Sequence, residues 1–467
     1  MKILRVVLFL SLLAAVFLAS RLLYGQNPAA ATAKDPGVRA GDVNAGNPLA
    51  SLTASQLQFF QDGQMRFNEV DAVQNGLGPA FNSTSCSGCH AQPAFGGTSP
   101  SVADYPNLGP NPQIAAANAG GATNKIPNFI AADGPVREAR FPFGVGPNGA
   151  VTRTPDGGVH DLFTIAGRFD APAGCNLAQP NFAAMQQANN VIFRIPTPVY
   201  GAGLIENIPD ATILANMKAS PVLKATLGIS GHPNTSANDG SITRFGWKAQ
   251  NKSLEVFAGE AYNVEMGITN ELFPNERGAA NGACASTATP EDSTNFDESG
   301  TELPSDVVAF AVFMRFLAAP SPSVKGITGN PSASSIANGK TLFSQIHCDT
   351  CHTSGLKTAP SKISTSLSNQ TAALYSDLLV HNMGSGLADN ITQGSAGPDE
   401  FRTAPLWGLG QRIFFLHDGR SGPANGGLVH AITQHASSGS EANRVISLYN
   451  NLTSQQKQDL LNFLRSL

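Results

Sequence analysis

Charged residues are scarce in this sequence, making up 13% of its 467 residues, and the formal net charge is only −4. No run of basic residues interleaved with aromatic side chains occurs, so the sequence gives no sign of nucleic-acid binding. Glycine, with 47 residues, and proline, with 31, are plentiful instead. This composition predicts short helices joined by long, turn-rich loops, in a chain long enough for two or three domains.

Long apolar runs are also scarce, and the run at 6–20 is short for a membrane span. Two basic residues precede it, as in a secretory signal peptide, so residues 1–25 are interpreted as a signal for export from a bacterial cytoplasm. Cleavage after Gly25 and cleavage in the Ala-Thr-Ala at 31–33 are both open, and an uncleaved anchor is the alternative. After removal of the signal peptide the net charge would be −7, and we expect a periplasmic or otherwise exported protein without stable membrane insertion. Residues 26–50, rich in Ala, Gly, Asn and Pro, predict a flexible tether.

Cysteine is rare too, with six residues, and four of them fall in two C-x-x-C-H motifs. The motifs are CSGCH at 86–90 and CDTCH at 348–352. This spacing is the attachment signature of a c-type haem, in which both cysteines form thioethers and the histidine becomes the proximal iron ligand. A redox or zinc C-x-x-C that happens to precede a histidine is the alternative. The sequence therefore predicts two covalently bound haem c groups, held by Cys86, Cys89 and His90 and by Cys348, Cys351 and His352.

The two remaining cysteines, Cys175 and Cys284, lie between the motifs. In the oxidising compartment that an export signal implies, such a pair is expected to form a disulfide. Two free buried thiols are the alternative.

The hydrophobic pattern predicts a mainly α fold in which the same unit occurs twice. Each unit runs from a helix into a haem motif, continues through variable loops, and ends in an amphipathic helix. We place a first cytochrome c-like domain, with a large loop-rich insertion, at 51–320 and a second at 333–467, with a linker between them. The predicted helices are 52–70, 253–262, 304–317, 335–346 and 452–467, with N-caps at Ser305 and Ser454.

Further stretches lie around and between the motifs in a fixed order: GLGPAFNSTSCSGCH, RIPTPVYGAGLIENIPD, TRFGWKAQ, VEMGIT, YSDLLVHNMGSGLAD and FRTAPLWGLGQRIFFLHDGR. In these stretches the chain resembles the bacterial di-haem cytochrome c peroxidase superfamily, which includes the enzyme that matures methylamine dehydrogenase. It is most similar to the branch of di-haem oxidoreductases, also labelled peroxidases or thiol oxidoreductases. The resemblance covers most of 70–467. It implies a peroxidatic haem at the first motif and an electron-transfer haem at the second.

The resemblance also implies roles for two residues between the motifs. Trp247 matches a tryptophan that lies between the haems, and Glu265 matches the acid–base group for peroxide. Cleavage of an O–O bond needs a group that takes a proton from one oxygen and returns it to the other, and a buried carboxyl has the raised pKa that suits both steps. The alternative for Trp247 is a tryptophan that only packs in the core, and the alternative for Glu265 is a surface carboxylate. Phe257 departs from the family pattern, because the family's peroxidases carry a glutamine at this position. The absence of that glutamine argues against efficient peroxide turnover.

For the second haem, the resemblance places the distal ligand in a helix after the His-Asp-Gly at 417–419, where counting reaches His435. We therefore predict bis-histidine ligation by His352 and His435, with a lower potential than a His/Met haem. His417 itself is expected to make a structural or interhaem hydrogen bond. The competing ligands are His430 and, as weaker candidates, His381 and Met383.

The first haem has no comparable distal ligand, because the next histidine after His90 is His160, in a glycine-rich turn. An open, five-coordinate iron with Glu265 above it is the simplest interpretation, since a catalytic haem needs an open position. Calcium between the domains is common in the superfamily. Asp389 is an acid in the right region, but no ligand motif marks a calcium site.

These features lead to three hypotheses about function. The first is an exported di-haem oxidoreductase that reduces hydrogen peroxide, with electrons from a small cytochrome or cupredoxin that pass from the second haem, past Trp247, to the first. The second is an enzyme of the same architecture that oxidises an organic, thiol or protein-side-chain substrate, which Phe257 and the long loops of 91–240 favour. The third is a pure electron carrier in which both irons are six-coordinate.

Overall fold

The structure is a computed structural model that describes residues 32–41, 44–100, 111–277, 282–285, 290–296, 298–300 and 302–467. The predicted signal peptide, 1–25, lies outside the described residues, as does the first part of the predicted tether. In the described part, helices alternate with long loops, and short strands pair into seven two-stranded antiparallel sheets. No helix in this part is both long and apolar enough to cross a membrane.

The helices are numbered in chain order. Those of the described residues are α1 Ala54–Asn68, α2 Cys86–Cys89, α3 Pro112–Ala117, α4 Phe182–Gln187, α5 Ala202–Glu206, α6 Asp210–Lys218, α7 Pro221–Leu227, α8 Leu254–Met266, α9 Asp306–Phe316, α10 Ala333–Gln345, α11 Leu428–Thr433, α12 Asn443–Asn450 and α13 Ser454–Ser466. Single turns of 3-10 helix lie at Val73–Asn75, Ala119–Gly121, Cys348–Thr350, Leu409–Gln411 and Pro423–Asn425.

The prediction of a mainly α fold did not anticipate the small sheets. Buried loops must still pair their backbone N–H and C=O groups, and short antiparallel strands do this within the glycine- and proline-rich segments. The pairs are β1 Ala80–Phe81 with β5 Phe163–Thr164, β2 Glu138–Arg140 with β6 Ile192–Arg194, β3 Phe143–Val145 with β4 Val151–Pro155, β7 Asn234–Thr235 with β8 Ile242–Thr243, β9 Asn295–Phe296 with β10 Glu302–Leu303, β11 Leu356–Lys357 with β12 Thr371–Ala372, and β13 Val380–Asn382 with β14 Glu400–Arg402.

Helices α1, α8 and α9 form the helical core of the first unit. Helices α1 and α9 approach closely at Gly63, where an added Cβ would lie 2.4 Å from the carbonyl oxygen of Ala309. Beside this crossing, the ring of Phe67 packs on Phe310 and Phe313, with centroid distances of 6.1 and 4.9 Å. The hydrophobic pattern predicts all three helices, and their bounds differ from the prediction by a few residues.

Helices α10 and α13 form the core of the second unit. They meet at Gly339, where an added Cβ would lie 2.0 Å from the carbonyl oxygen of Asp459. The predicted N-cap of α13, Ser454, is wrong by one residue, because Thr453 caps the helix. The Thr453 hydroxyl accepts from the backbone N–H of Gln456 at 3.2 Å, and the Gln456 side chain accepts from the backbone N–H of Thr453 at 2.9 Å. This reciprocal pair is the reason that the helix begins after Thr453.

Buried residues of each unit pack against the core of the other unit. The first core also contains leucines from the predicted second domain, Leu356, Leu367, Leu374 and Leu379. Conversely, Leu227 and Ile229 of the first unit pack with Val445 beside Cys348. The linker predicted near residue 320 therefore joins two units that share buried surface.

The described residues of the predicted tether pack against the rest of the chain. Asp35 accepts two hydrogen bonds from the guanidinium of Arg465 on α13, at 2.7 and 2.8 Å, and both side chains are buried. The backbone N–H of Arg39 donates to the carbonyl oxygen of Gly410 at 2.7 Å, and Leu49 joins the first core. These contacts do not fit a flexible tether in this part of the chain, because Asp35 supplies the counter-charge of a buried arginine.

Cys175 and Cys284, the pair predicted to form a disulfide, are bonded to each other. Their Cα atoms lie 4.6 Å apart, and the bond spans a sequence separation of 109 residues. It therefore ties together two distant parts of the insertion between the haem motifs.

Candidate haem sites

The first C-x-x-C-H motif lines a cavity of about 160 Å³. Cys86–Cys89 forms the short helix α2, which Ser85 caps by accepting a hydrogen bond from the backbone N–H of Gly88 at 3.1 Å. His90 follows directly, and its Nδ1 donates to the carbonyl oxygen of Gly97 at 2.9 Å. Because a carbonyl oxygen only accepts, this bond places the ring proton on Nδ1 and leaves the lone pair of Nε2 for a metal.

The second motif lines a cavity of about 220 Å³. Cys348–Thr350 forms a 3-10 turn, and Cys351 and His352 follow it on the cavity wall. The Nδ1 of His352 donates to the carbonyl oxygen of Tyr375 at 2.9 Å, in the same arrangement as at the first motif. Burial lowers the pKa of His352 to about 4, which favours the neutral ring that a metal ligand needs.

His435, the predicted distal ligand, lines the same cavity as His352. It lies just beyond α11, and its Nδ1 donates to the carbonyl oxygen of Ala431 at 2.8 Å. Burial lowers the pKa of His435 as well. Of the five histidines that line the second cavity, His352 and His435 thus each donate from Nδ1 to a backbone carbonyl oxygen and keep Nε2 available for a metal.

Two of the competing ligands are engaged in other contacts. The Nδ1 of His430 hydrogen-bonds the hydroxyl of Ser421 at 2.7 Å, and His430 is not among the described residues that line the second cavity. His381 does line it, but both of its ring nitrogens are engaged, Nδ1 with Glu441 at 2.7 Å and Nε2 with Asp377 at 3.0 Å. His435 is therefore the best placed of these histidines to bind an iron.

Met383 and His417 also line the second cavity. The ring of His417 stacks on Phe401 at a centroid distance of 4.2 Å, and it meets Trp247 edge-on at 6.4 Å. The carbonyl oxygen of His417 accepts a hydrogen bond from the backbone N–H of Ile195 at 2.7 Å. His417 thus joins the second unit to the first through a backbone hydrogen bond and through ring packing.

Trp247 lines both the first and the second cavity. Its indole N–H donates to the carbonyl oxygen of Ile195 at 2.8 Å, and its own carbonyl oxygen accepts from the backbone N–H of Arg402 at 2.8 Å. The side chain is buried. Trp247 therefore lies between the two motifs and is held at both its ring and its backbone.

Glu265 lies in the last turn of α8 and lines the first cavity. The backbone N–H groups of Gly78 and Asn82 donate to the carbonyl oxygens of Met266 and Glu265, at 2.9 and 2.7 Å. Gly267 ends the helix with a φ of 78°, where an added Cβ would lie 2.5 Å from the carbonyl oxygen of Gly78. The amide of Asn82 then donates to Oε2 of Glu265 at 2.8 Å. The end of α8 is thus fixed, and so is the carboxyl that it carries.

A second carboxyl, that of Glu138 on β2, lines the same cavity and is hydrogen-bonded to Glu265. Arg140, two residues along the strand, contacts both oxygens of Glu138, at 2.6 and 3.4 Å. Burial and the charge of Glu138 hold the pKa of Glu265 well above its usual range. Burial opposes ionisation of Glu138 too, but the charge and hydrogen bonds of Arg140 lower the pKa of Glu138. The two pKa shifts run in opposite directions, which favours a proton on Glu265 and a negative charge on Glu138.

Asn82 connects this pair to a third acid. Its amide nitrogen lies 3.4 Å from Oδ1 of Asp161, whose other oxygen accepts from the guanidinium of Arg277 at 3.1 Å. Burial raises the pKa of Asp161 to about 6, against the opposing charge of Arg277. No pattern in the sequence marks Glu138 and Asp161, because both lie in the insertion and no spacing relates them to α8. The one local signal for Glu138 is Arg140, which lies two residues further along the chain. On a strand, residues at this spacing point to the same face.

Phe257, where the resemblance led us to look for a glutamine, lines the first cavity with an apolar ring. His160 lies elsewhere, because its ring stacks on Phe141 at a centroid distance of 3.7 Å and its Nε2 hydrogen-bonds Asp156 at 3.0 Å. Among the described residues that line the first cavity, His90 is the one histidine. The two cavities therefore differ, because one described histidine lines the first and five line the second, among them His352 and His435 with Nε2 available.

Comparison with known proteins identifies the family. Residues 150–467 match the sequence profile of the family described as "Di-haem oxidoreductase, putative peroxidase". The chain belongs to this di-haem oxidoreductase family. A search of curated proteins found no match.

Two solved structures are similar to this di-haem oxidoreductase. One is a MauG-like protein associated with microbial copper homeostasis, with 15% identity over 92% of this chain and 93% of that chain and a TM-score of 0.35. The other is hydrazine synthase from Kuenenia stuttgartiensis, with 16% identity over 45% of this chain and a TM-score of 0.24. The match spans 60% of the hydrazine synthase chain.

The two cavities fit the haems that the family name implies. The four motif cysteines are free thiols, so each is available for a thioether, and each motif histidine has Nε2 available. A bound haem would be held at the first cavity by Cys86, Cys89 and His90, and at the second by Cys348, Cys351, His352 and His435.

The region of Asp389 does not fit a calcium ion. The Asp389 side chain is fully buried, with one oxygen 2.6 Å from the guanidinium of Arg194 and the other 3.1 Å from Nζ of Lys248. Burial opposes ionisation of Asp389, but these two cations hold its pKa below the usual value. Calcium prefers several oxygen ligands and negative charge, whereas here two protein cations already contact the carboxylate.

Proposed function

We propose that this di-haem oxidoreductase is exported to the periplasm, carries covalent haem c at both motifs, and reduces hydrogen peroxide at the first. The observation that carries the proposal is the Glu265–Glu138 pair in the first cavity, which the first motif also lines and in which His90 is the one described histidine. A bound haem supplies the iron that binds peroxide and transfers the electrons. The overall reaction takes one hydrogen peroxide, two protons and two electrons to two water molecules.

The carboxyl pair is suited to the proton transfers. Peroxide reduction requires that a proton leave one oxygen and that a proton reach the oxygen that departs as water. A pair that shares one proton offers an O–H donor on Glu265 and an acceptor oxygen on Glu138 at the same time. Asn82 orients Glu265, and Arg140 keeps the charge on Glu138, so neither carboxyl has to reorganise before the proton moves.

The second motif is suited to electron entry. With His352 and His435 both in its cavity, an iron there would be closed on both sides, and such a haem transfers electrons without binding substrate. Trp247 lines both cavities and provides the packed connection between them. The electron donor would be a small cytochrome or cupredoxin in the same compartment.

The proposal is tested by steady-state peroxide reduction by the holoenzyme, with a reduced small cytochrome as donor. Glu265→Gln keeps the shape of the side chain but removes its proton chemistry, so turnover should fall by about 10²- to 10⁴-fold, the usual contribution of a general acid–base group. Glu255→Gln is the matched control, because Glu255 is an exposed residue of the same helix. Equal turnover in the two variants would rule out the proposed role of Glu265.

A second candidate function is oxidation of an organic, thiol or protein-side-chain substrate. The apolar ring of Phe257 in the wall of the first cavity favours it. In that case peroxide would act as the oxidant, and its consumption would depend on such a substrate and not on a reduced cytochrome. Peroxide consumption measured with each reductant alone separates the two functions.

A further inference from the structure

Two arginines of the second unit line the second cavity together with Trp247. Arg402 ends β14, and Arg412 follows the 3-10 turn at Leu409–Gln411. Both line the second cavity, and both also line a small neighbouring cavity of about 30 Å³ that Trp247 shares. Each residue is buried, with 8% and 5% of its surface exposed.

Within the described part of the chain, neither guanidinium has a carboxylate partner, and that of Arg412 lacks an acceptor for two of its nitrogens. The Nε and Nη2 atoms of Arg412 are buried without a hydrogen-bond partner among the described residues. The Nε of Arg402 donates to the carbonyl oxygen of Gly246 at 3.0 Å. Two other buried arginines differ, since Arg194 and Arg465 each contact an aspartate, at 2.6 and 2.7 Å, whereas the buried Arg39 also has two nitrogens without a partner among the described residues.

A buried pair of like charges without an anion is unfavourable. Burial lowers the pKa of each of the two groups to about 10, and the charge of Arg412 also contributes at Arg402. Uncompensated buried charges cost several kcal/mol, so such groups are retained where an anion accompanies them. A planar guanidinium matches a carboxylate through two parallel hydrogen bonds.

We infer that Arg402 and Arg412 form a carboxylate-binding site on the wall of the second cavity, and that the propionates of the haem held there fill it. The haem supplies two carboxylates within the molecule, so no diffusible anion is needed. A free carboxylate from solution is the other source of the same chemistry. The inference depends on the haem at the second motif and not on peroxide as substrate, so its failure is separate from failure of the proposed function.

The site has a consequence for electron transfer. A nearby cation stabilises the reduced haem, which carries one positive charge less than the oxidised haem. Loss of either arginine should therefore lower the midpoint potential of the second haem. Because the backbone of Arg402 hydrogen-bonds Trp247, the cations lie beside the connection between the two cavities.

The test compares Arg402→Gln and Arg412→Gln with Arg412→Lys in the holoprotein. The control is Arg444→Gln, which removes an exposed cation of α12. The second haem is titrated by spectroelectrochemistry, and its propionate bending band is recorded by resonance Raman. In the Gln variants we expect the oxidised-to-reduced ratio at a fixed applied potential to rise several-fold and the band to shift. The midpoint potential of the second haem in Arg412→Lys should stay close to that of the wild type, and the control should match the wild type.

Two outcomes would contradict the inference. An unchanged potential and an unchanged propionate band in Arg402→Gln and Arg412→Gln would show that the arginines do not contact the haem. If added acetate shifts the potential of the wild type but not of the Gln variants, a free carboxylate fills the site instead. If Arg412→Gln does not accumulate with two haems, Arg402→Gln provides the same measurements.

Discussion

The carboxyl pair of the first cavity makes a prediction about Glu138, a residue that no sequence motif marks. Glu138→Gln keeps a side chain that can accept from Arg140 and donate to Glu265, but it removes the negative charge and the carboxylate oxygen that shares the proton of Glu265. Turnover with peroxide should fall by about 10- to 100-fold, less than for Glu265→Gln, because one carboxyl of the pair remains. Unpairing a buried arginine also destabilises the fold, so the thermal midpoint should be measured with the rate.

The sign of the pH dependence follows from the same contacts. Burial and the charge of Glu138 raise the pKa of Glu265, so Glu265 keeps its proton to a higher pH than an ordinary glutamate and loses it as the pH rises through that raised pKa. Removal of the Glu138 charge lowers the pKa of Glu265. The alkaline limb of kcat/KM for peroxide should therefore move to lower pH in Glu138→Gln. The stability that the protonated carboxyl contributes is also lost on the alkaline side, since its folded-state pKa is raised.

The assay is steady-state peroxide reduction with a reduced cytochrome donor across the pH range, with Glu255→Gln as the control. Both variants must first be shown to carry two haems, by pyridine haemochrome spectra. A Glu138→Gln enzyme with the rate and the alkaline limb of the wild type would refute the idea that the pair shares a proton.

Three further predictions concern the second cavity and the region between the haems. His435→Met should raise the midpoint potential of the second haem, because a thioether ligand favours the reduced iron, and an unchanged potential would exclude His435 as ligand. Trp247→Phe should slow electron transfer between the haems in stopped-flow reduction while both haem spectra stay the same, and an unchanged rate would assign Trp247 to packing alone. Asp389→Asn should lower the free energy of unfolding in urea by about 3–5 kcal/mol, because it leaves two buried cations without their anion.

Local chemistry was sufficient to predict the parts of the sites that lie close together in the chain. The spacing of C-x-x-C-H places two cysteines and a histidine at each cavity, and helices such as α9 follow from their apolar stripe. The position of His435 came from its distance to the His-Asp-Gly stretch, and the structure places it in the cavity of His352. Its role as ligand remains a prediction.

The features that the sequence did not show depend on contacts between distant segments. Glu138 reaches Glu265 only because β2 pairs with β6 inside the insertion, and short strands in glycine-rich loops have no clear period. Asp35 lies in a stretch that resembles a linker by composition, yet it pairs with Arg465, which is 430 residues away. The cations around Asp389 likewise come from separate loops, so its environment could not be inferred from neighbouring residues.

The central claim is that the two haem sites differ, the first open to substrate and the second closed by two histidines. Electron paramagnetic resonance of the resting, fully loaded protein tests this most directly. The account predicts one high-spin ferric haem and one low-spin bis-histidine haem in equal amounts, with the high-spin signal lost on addition of peroxide. Two low-spin haems that do not respond to peroxide would contradict it.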